Sequence, residues 1–130
     1  MKPGHLGLPA DVCRAVGQVL ACIGDKWTIL VIRMLSAGPL RFSELRRAVG
    51  SISQKVLTST LRNLERDGFV IRTVTPSTPP RVDYELTALG RDLLVPVNVM
   101  AEWALGHRLQ IERARQRYDA LQEAAATRDE

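Results

Sequence analysis

The chain has 130 residues, 45% hydrophobic and 25% charged, an ordinary globular composition for one domain with a single core that argues against an enzyme cleft between two domains. No uninterrupted apolar run is long enough to span a bilayer and the N-terminus lacks the basic-then-apolar build of a signal peptide, so a soluble cytoplasmic protein with no membrane contact is expected. The net charge of +4 is unevenly placed: residues 41–81 hold eight bases against three acids, +5 on that stretch and −1 on the remainder, as a nucleic-acid surface requires.

In chain order, residues 1–10 read as a flexible arm, with two glycines and two prolines among the first nine. A first helix is predicted from Asp11 or Val12 to about Ile23, lined on one side by Val12, Val16, Val19, Leu20 and Ile23. Asp25 can cap a second helix running to Ser36, in which Ile29, Leu30, Val31, Ile32, Met34 and Leu35 leave almost no polar face. That helix is the predicted centre of the core, with Trp27 in the core and Lys26 reaching past it to solvent. Gly38-Pro39 stops it, and Leu40-Arg41-Phe42 is just long enough to pair at the edge of a small sheet.

Ser43 then stands as a cap for a short helix carrying Leu45 and Val49, and Gly50-Ser51-Ile52 makes a tight turn into a second one. This is helix–turn–helix spacing. The second helix is complete in itself: Ser53 is a natural N-cap and Gly68 sits where a left-handed residue would end it. Leu57, Leu61 and Leu64 recur at helical spacing, with Val56 and Thr60 beside them, and form the stripe that must be buried. Turned away from it are Gln54, Lys55, Thr58, Ser59, Arg62 and Arg66, with no acid on that side of the first two turns. An isolated amphipathic helix would show charges outward for solubility alone; the preceding helix and turn favour a face that reads base edges and grips phosphates.

Residues FVIRTVT and RVDYELT alternate apolar and polar at period two across a proline-rich turn, a β-hairpin in the place of a wing. Asp83 and Glu85 on the second strand are available to Arg72, and Arg81 stands at the base or tip of the loop. Thr87 can cap a last helix, in which Pro96 predicts a kink or break near Leu94–Val95. Beyond Trp103 the positions Ala104, His107, Ile111, Ala114, Tyr118 and Leu121 follow a rough heptad seam that needs a partner, and the end should fray from about Glu123. The predicted fold class is thus mainly α with a small antiparallel β-sheet. Its division is the arm at 1–10, a winged helix–turn–helix domain at 11–104 with its dimerisation helices, and a helical extension at 105–130.

IGDKWTILVIRML (23–35), RFSELRRAVGSISQKVLTSTLRNLERDGFVIR (41–72) and PPRVDYELTALGRDL (79–93) together resemble the HxlR-type winged helix–turn–helix transcription regulators of bacteria, relatives of the MarR group. The resemblance covers about two thirds of the chain in the family's order. It implies a homodimer joined through the first and last helices, Ser53 to Arg66 as recognition helix and Thr75 to Arg81 as wing. It also implies a cysteine near the start of the first helix, commonly followed by proline; Cys13 stands there, followed by Arg14.

The resulting expectation is a sequence-specific regulator, a repressor by preference, that binds a pseudo-palindromic double-stranded DNA operator. Gln54, Lys55, Thr58, Ser59 and Arg62 would contact bases and nearby phosphates, with Ser53 opening their helix, while Arg41, Ser43 and Arg81 hold the backbone or minor groove. Cys13, near a helix N-terminus and beside Arg14, is the candidate redox or electrophile sensor, and Cys22 is expected to sit deeper as core filler. Nine residues along one helix separate the two by about 13 Å, too far for an intrachain disulfide. One alternative keeps the DNA but replaces the thiol switch with a small-molecule effector and inert cysteines; another is a winged-helix module that binds protein. His5 and His107 are isolated, and no nucleophile with a matching base and no glycine-rich phosphate loop is found, so neither metal, cofactor nor enzymatic activity is expected.

Overall fold

Capping groups set the boundaries of the helices in the computed structural model, which describes residues 7 and 9–128. The chain runs through α1 (Ala10–Ile23), α2 (Lys26–Met34), a 3-10 turn (Leu35–Ala37), β1 (Leu40–Arg41), α3 (Phe42–Val49), α4 (Gln54–Arg66), β2 (Val70–Thr75), β3 (Arg81–Leu86) and α5 (Ala88–Arg128). It is mainly helical with one three-stranded antiparallel sheet in the order β1-β3-β2. The predicted arm lies outside the described residues apart from Gly7, Pro9 and Ala10, and α1 starts at Ala10 because the Pro9 carbonyl already accepts the Cys13 N–H. His5 also lies outside them.

The Asp25 carboxylate accepts the N–H groups of Trp27 and Thr28 and so opens α2. Val31, Ile32 and Leu35 are fully buried, while Ile29, Leu30 and Met34 are half-buried; α2 closes at Met34, earlier than predicted, by tightening into the 3-10 turn. Trp27 departs from expectation. It is half-buried rather than in the core, and the Lys26 ammonium lies 4.5 Å from its ring centroid, so the pair forms a cation–π contact at the surface.

Around α2 gather α3 and α4, contributing Leu45, Leu57, Leu61 and Leu64 to the core. Thr60 is buried with them, whereas Val56 is 36% exposed and marks the rim of the stripe. The end of α4 is a Schellman turn: the Phe69 N–H donates to Leu64 and the Gly68 N–H to Glu65, with Gly68 at φ +83. Thr87 ties this turn to α5, donating its hydroxyl to the Gly68 carbonyl and accepting the Gly90 N–H. At Gly90 a Cβ would stand 2.2 Å from the Phe69 carbonyl oxygen, so only glycine lets the two backbones approach this closely.

β1 is confined to Leu40 and Arg41, which pair with Tyr84 and Asp83; Phe42 already begins α3. In the hairpin Arg72 stands opposite Tyr84, and Asp83 opposite Thr73. Alternate residues point to opposite faces, so Asp83 and Glu85 face away from Arg72, and the expected pairing gives way to an Arg81–Asp83 ion pair at 3.0 Å.

The chain divides into two units, Met1–Val95 and Pro96–Glu130, and α5 runs from Ala88 to Arg128. Pro96, which has no N–H to offer the Asp92 carbonyl, lies inside this helix. α5 continues to Arg128. Within the first unit α1 buries no residue completely, and Val12, Val19 and Leu20 are 41–54% exposed. Within the second unit Trp103, Leu105, Leu109, Tyr118 and Leu121 are exposed, and Trp103 stacks on His107 with centroids 4.3 Å apart. Among the described residues no single helix is long and apolar enough to cross a membrane.

Candidate nucleic-acid interface

The helix that presents the candidate contacts is positioned from both ends. At its start the Ser53 hydroxyl oxygen accepts the Val56 N–H at 3.1 Å, after a turn in which Gly50 takes φ +85 and Ile52 is buried. At its end the Schellman turn hands the chain to β2, and between the two the three buried leucines clamp α4 against the core. Its outer face is thereby fixed in rotation.

On that face Gln54, Lys55, Thr58, Ser59, Arg62 and Asn63 line one shallow hollow. Gln54, Lys55, Ser59 and Arg62 are exposed; Thr58 is half-buried and donates its hydroxyl to the Gln54 carbonyl at 2.8 Å. Among the described residues the one ion pair is Arg81–Asp83, so the cations of Lys55 and Arg62 are not held by a carboxylate. The face offers amide, hydroxyl and cationic groups together, which match base-edge donors and acceptors and phosphate oxygens. Arg66, on the same helix, lines a neighbouring hollow together with Lys55, Ser59, Asn63, Trp27 and Asp67.

Ser43 requires a correction. It does not cap α3, because the chain turns helical directly out of β1 with Arg41 as the N-cap residue, and the Glu44 carboxylate accepts the Arg41 N–H at 2.9 Å. Ser43 is an exposed first-turn residue, and it shares a second hollow with Phe42, Arg46, Arg47 and Gln54. Arg46 and Arg47 are thus placed next to the start of α4, although sequence reasoning did not single them out. The available signal was their position in the last turn of α3 before Gly50, where the chain turns toward α4.

Arg41 and Arg81 are brought to one part of the sheet, since Arg41 pairs with Asp83 in the strand register and Arg81 meets the Asp83 carboxylate. Arg81 stands at the base of the wing, opposite Thr75, and the loop between them is exposed throughout. Within the loop the Ser77 hydroxyl donates to the Pro79 carbonyl at 2.6 Å. Cys13 is half-buried on α1, remote in sequence from this face. Cys22 is half-buried too rather than part of the fully buried core; its thiol donates to the Asp67 carboxylate at 3.2 Å. Among the described residues no group of three or more His, Cys, Asp or Glu is gathered to hold a metal ion.

Comparison with known proteins places this geometry. Residues 22–112 match the model of the HxlR-like helix-turn-helix family. The chain is similar to the HTH-type transcriptional regulator YtfH of Escherichia coli, 41% identical over 103 residues that cover 79% of each chain. Among solved structures it is similar to the transcriptional regulator ytfH from Salmonella typhimurium, with a TM-score of 0.72 at 37% identity, covering 78% of this chain and 90% of that one. It is also similar to the redox regulator HypR in its reduced form, with a TM-score of 0.71 at 41% identity, covering 76% and 98%. These relatives are transcription regulators rather than enzymes, and their winged helix–turn–helix is the fold described above. The chain belongs to the HxlR-like helix-turn-helix family of DNA-binding transcription regulators.

Proposed function

We propose that the protein acts as a homodimeric repressor on a pseudo-palindromic operator, two copies of α4 entering successive major grooves about 34 Å apart. The observation that carries this reading is the exposed face of α4, with Lys55, Thr58, Ser59 and Arg62 grouped and the two cations unpaired. Gln54, Lys55, Ser59 and Arg62 reach base edges and adjoining phosphates, Thr58 offers its methyl and oxygen, and the Ser53 cap holds the helix start. Arg41, Ser43 and Arg81, joined by Arg46 and Arg47, grip the flanking backbone. Dimerisation through the first and last helices is supported by the apolar side chains that each leaves uncovered, Val12, Val19 and Leu20 on α1 and Trp103, Leu105 and Leu109 beyond Pro96. Repression needs only occupancy of the DNA.

Arg62→Ala tests the face directly. A gel shift on the intergenic DNA beside the gene should show binding weakened by about 1–3 kcal/mol, with the melting temperature and the dimer unchanged, because the residue is exposed and opposite the leucine stripe. Normal binding, or an unfolded domain, would remove Arg62 from the contact set.

The effector we propose is an oxidant or electrophile acting on Cys13. A redox regulator is among the similar structures, and the two thiols of this chain differ in setting. Burial first, then the hydrogen bond and charge of Asp67, then the charge of Asp25, push the Cys22 thiol up to about 11. At neutral pH Cys22 therefore stays protonated and is a poor nucleophile. Mild oxidant or a quinone should modify Cys13 first, as peptide mapping by mass spectrometry would show, and any disulfide should join two subunits. Cys13→Ser should bind DNA normally and ignore the oxidant; equal labelling of both thiols would refute the switch.

A further inference from the structure

A cavity of about 760 Å³ opens beside the C-terminal cap of α4, between α1, the Asp67–Phe69 turn and the first turns of α5, and its lining residues all belong to the first unit. Its size suits a drug-like molecule. Val19, Ile23, Phe69 and Leu93 give it apolar walls. The ionisable groups on the lining are the carboxylates of Asp67 and Asp92 and the Cys22 thiol, and no lysine or arginine lines it. Cys22 registers the negative field, since the charges of Asp67 and Asp25 add to burial in keeping its thiol protonated. A cavity of this kind disfavours phosphates and carboxylates and is complementary to a cation with an apolar body.

We propose that this cavity is an effector site for amphipathic organic amines, the aryl or alkyl body lying against Ile23, Phe69 and Leu93 and the ammonium held by Asp67 and Asp92. The regulatory half of the inference rests on the operator-binding reading above. Its physical link is short. Asp67 is the C-cap of α4, and Gly68 and Phe69, the next two residues, make the bonds that terminate the recognition helix and receive the Thr87 hydroxyl. An occupant that draws α1 and α5 toward Asp67 acts on the end of the helix whose outer face meets DNA. It shifts the protein between DNA-competent and incompetent states to the extent that it prefers one of them.

The test uses the full chain and three probes with one apolar body and different charge: 4-phenylbutylamine, 4-phenylbutanol and 4-phenylbutyrate. In calorimetric titrations at neutral pH without DNA, the amine should bind about 10-fold tighter than the alcohol, and the butyrate should not bind. In Asp67→Asn/Asp92→Asn, which keeps an oxygen for the Cys22 thiol, amine affinity should fall to that of the alcohol with the melting temperature unchanged. Asp92→Asn alone, an exposed helical position, should give part of that loss and serves if the double variant is unstable. Equal affinity for the three probes, or amine binding unaffected by either variant, would overturn the site. Saturating amine should then weaken operator binding several-fold in the unsubstituted chain and not in the double variant; an unchanged gel shift with amine bound would overturn the effector role. Because the titrations contain no DNA, amine binding by a chain that bound no operator would uphold the cavity and overturn the operator reading alone.

Discussion

Leu61→Ala should destabilise the domain by about 2–5 kcal/mol, read as a lower urea midpoint at an unchanged slope. Leu61 is 2% exposed and lies between Leu57 and Leu64, which are fully buried, on the face of α4 that packs against α2. Removing its isopropyl group loses the transfer free energy of those atoms and leaves a cavity, because α4 is held at both ends, by Ser53 and by the Schellman turn, and cannot collapse inward. The same substitution should weaken DNA binding only in proportion to the unfolded fraction. Stability equal to that of the unsubstituted chain would mean that α4 is rotated from the orientation described, and the outer face with it.

Ending the chain at Glu102 should abolish dimerisation and lower operator affinity by about 100-fold or more, since one subunit would then bind a half-site without the second half-site contributing avidity. The segment removed carries Trp103, Leu105, Leu109, Tyr118 and Leu121, large side chains that are all more than half exposed. An apolar helix surface of this extent is stable in water when another copy covers it. Sedimentation at low concentration distinguishes the outcomes. A shortened chain that still sediments as a dimer would place the interface on α1 alone, where Val12, Val19 and Leu20 are also uncovered.

Elements whose stability is local were legible in the amino-acid sequence. Ser53, Asp25, Thr87 and Gly68 were recognisable as helix ends because the cap that each makes involves residues only two to five positions away. The leucine period of α4 defined its buried face for the same reason: packing at every third or fourth residue is a property of the helix itself. From that face followed the outer one, with Gln54, Lys55, Thr58, Ser59 and Arg62, and the structure brings these residues into one hollow.

Where the outcome depended on residues distant in the chain, the sequence alone was insufficient. Arg72 and Asp83 are close in pattern, yet strand register puts them on opposite faces and gives Asp83 to Arg81. Ser43 has the chemistry of a cap, but pairing of Leu40 and Arg41 with β3 starts the helix two residues earlier than a Ser43 cap would. The need for glycine at position 90 comes from the Phe69 carbonyl, twenty-one residues back, and the high pKa of Cys22 comes in part from Asp67, forty-five residues on. By itself, then, the sequence determined the helix–turn–helix, its hairpin and the composition of its outer face, because propensity, capping and hydrophobic period act over a few residues. Only the tertiary structure decided which charges meet, what raises the Cys22 thiol and where a cavity opens, because those depend on through-space distances between segments that no local pattern encodes.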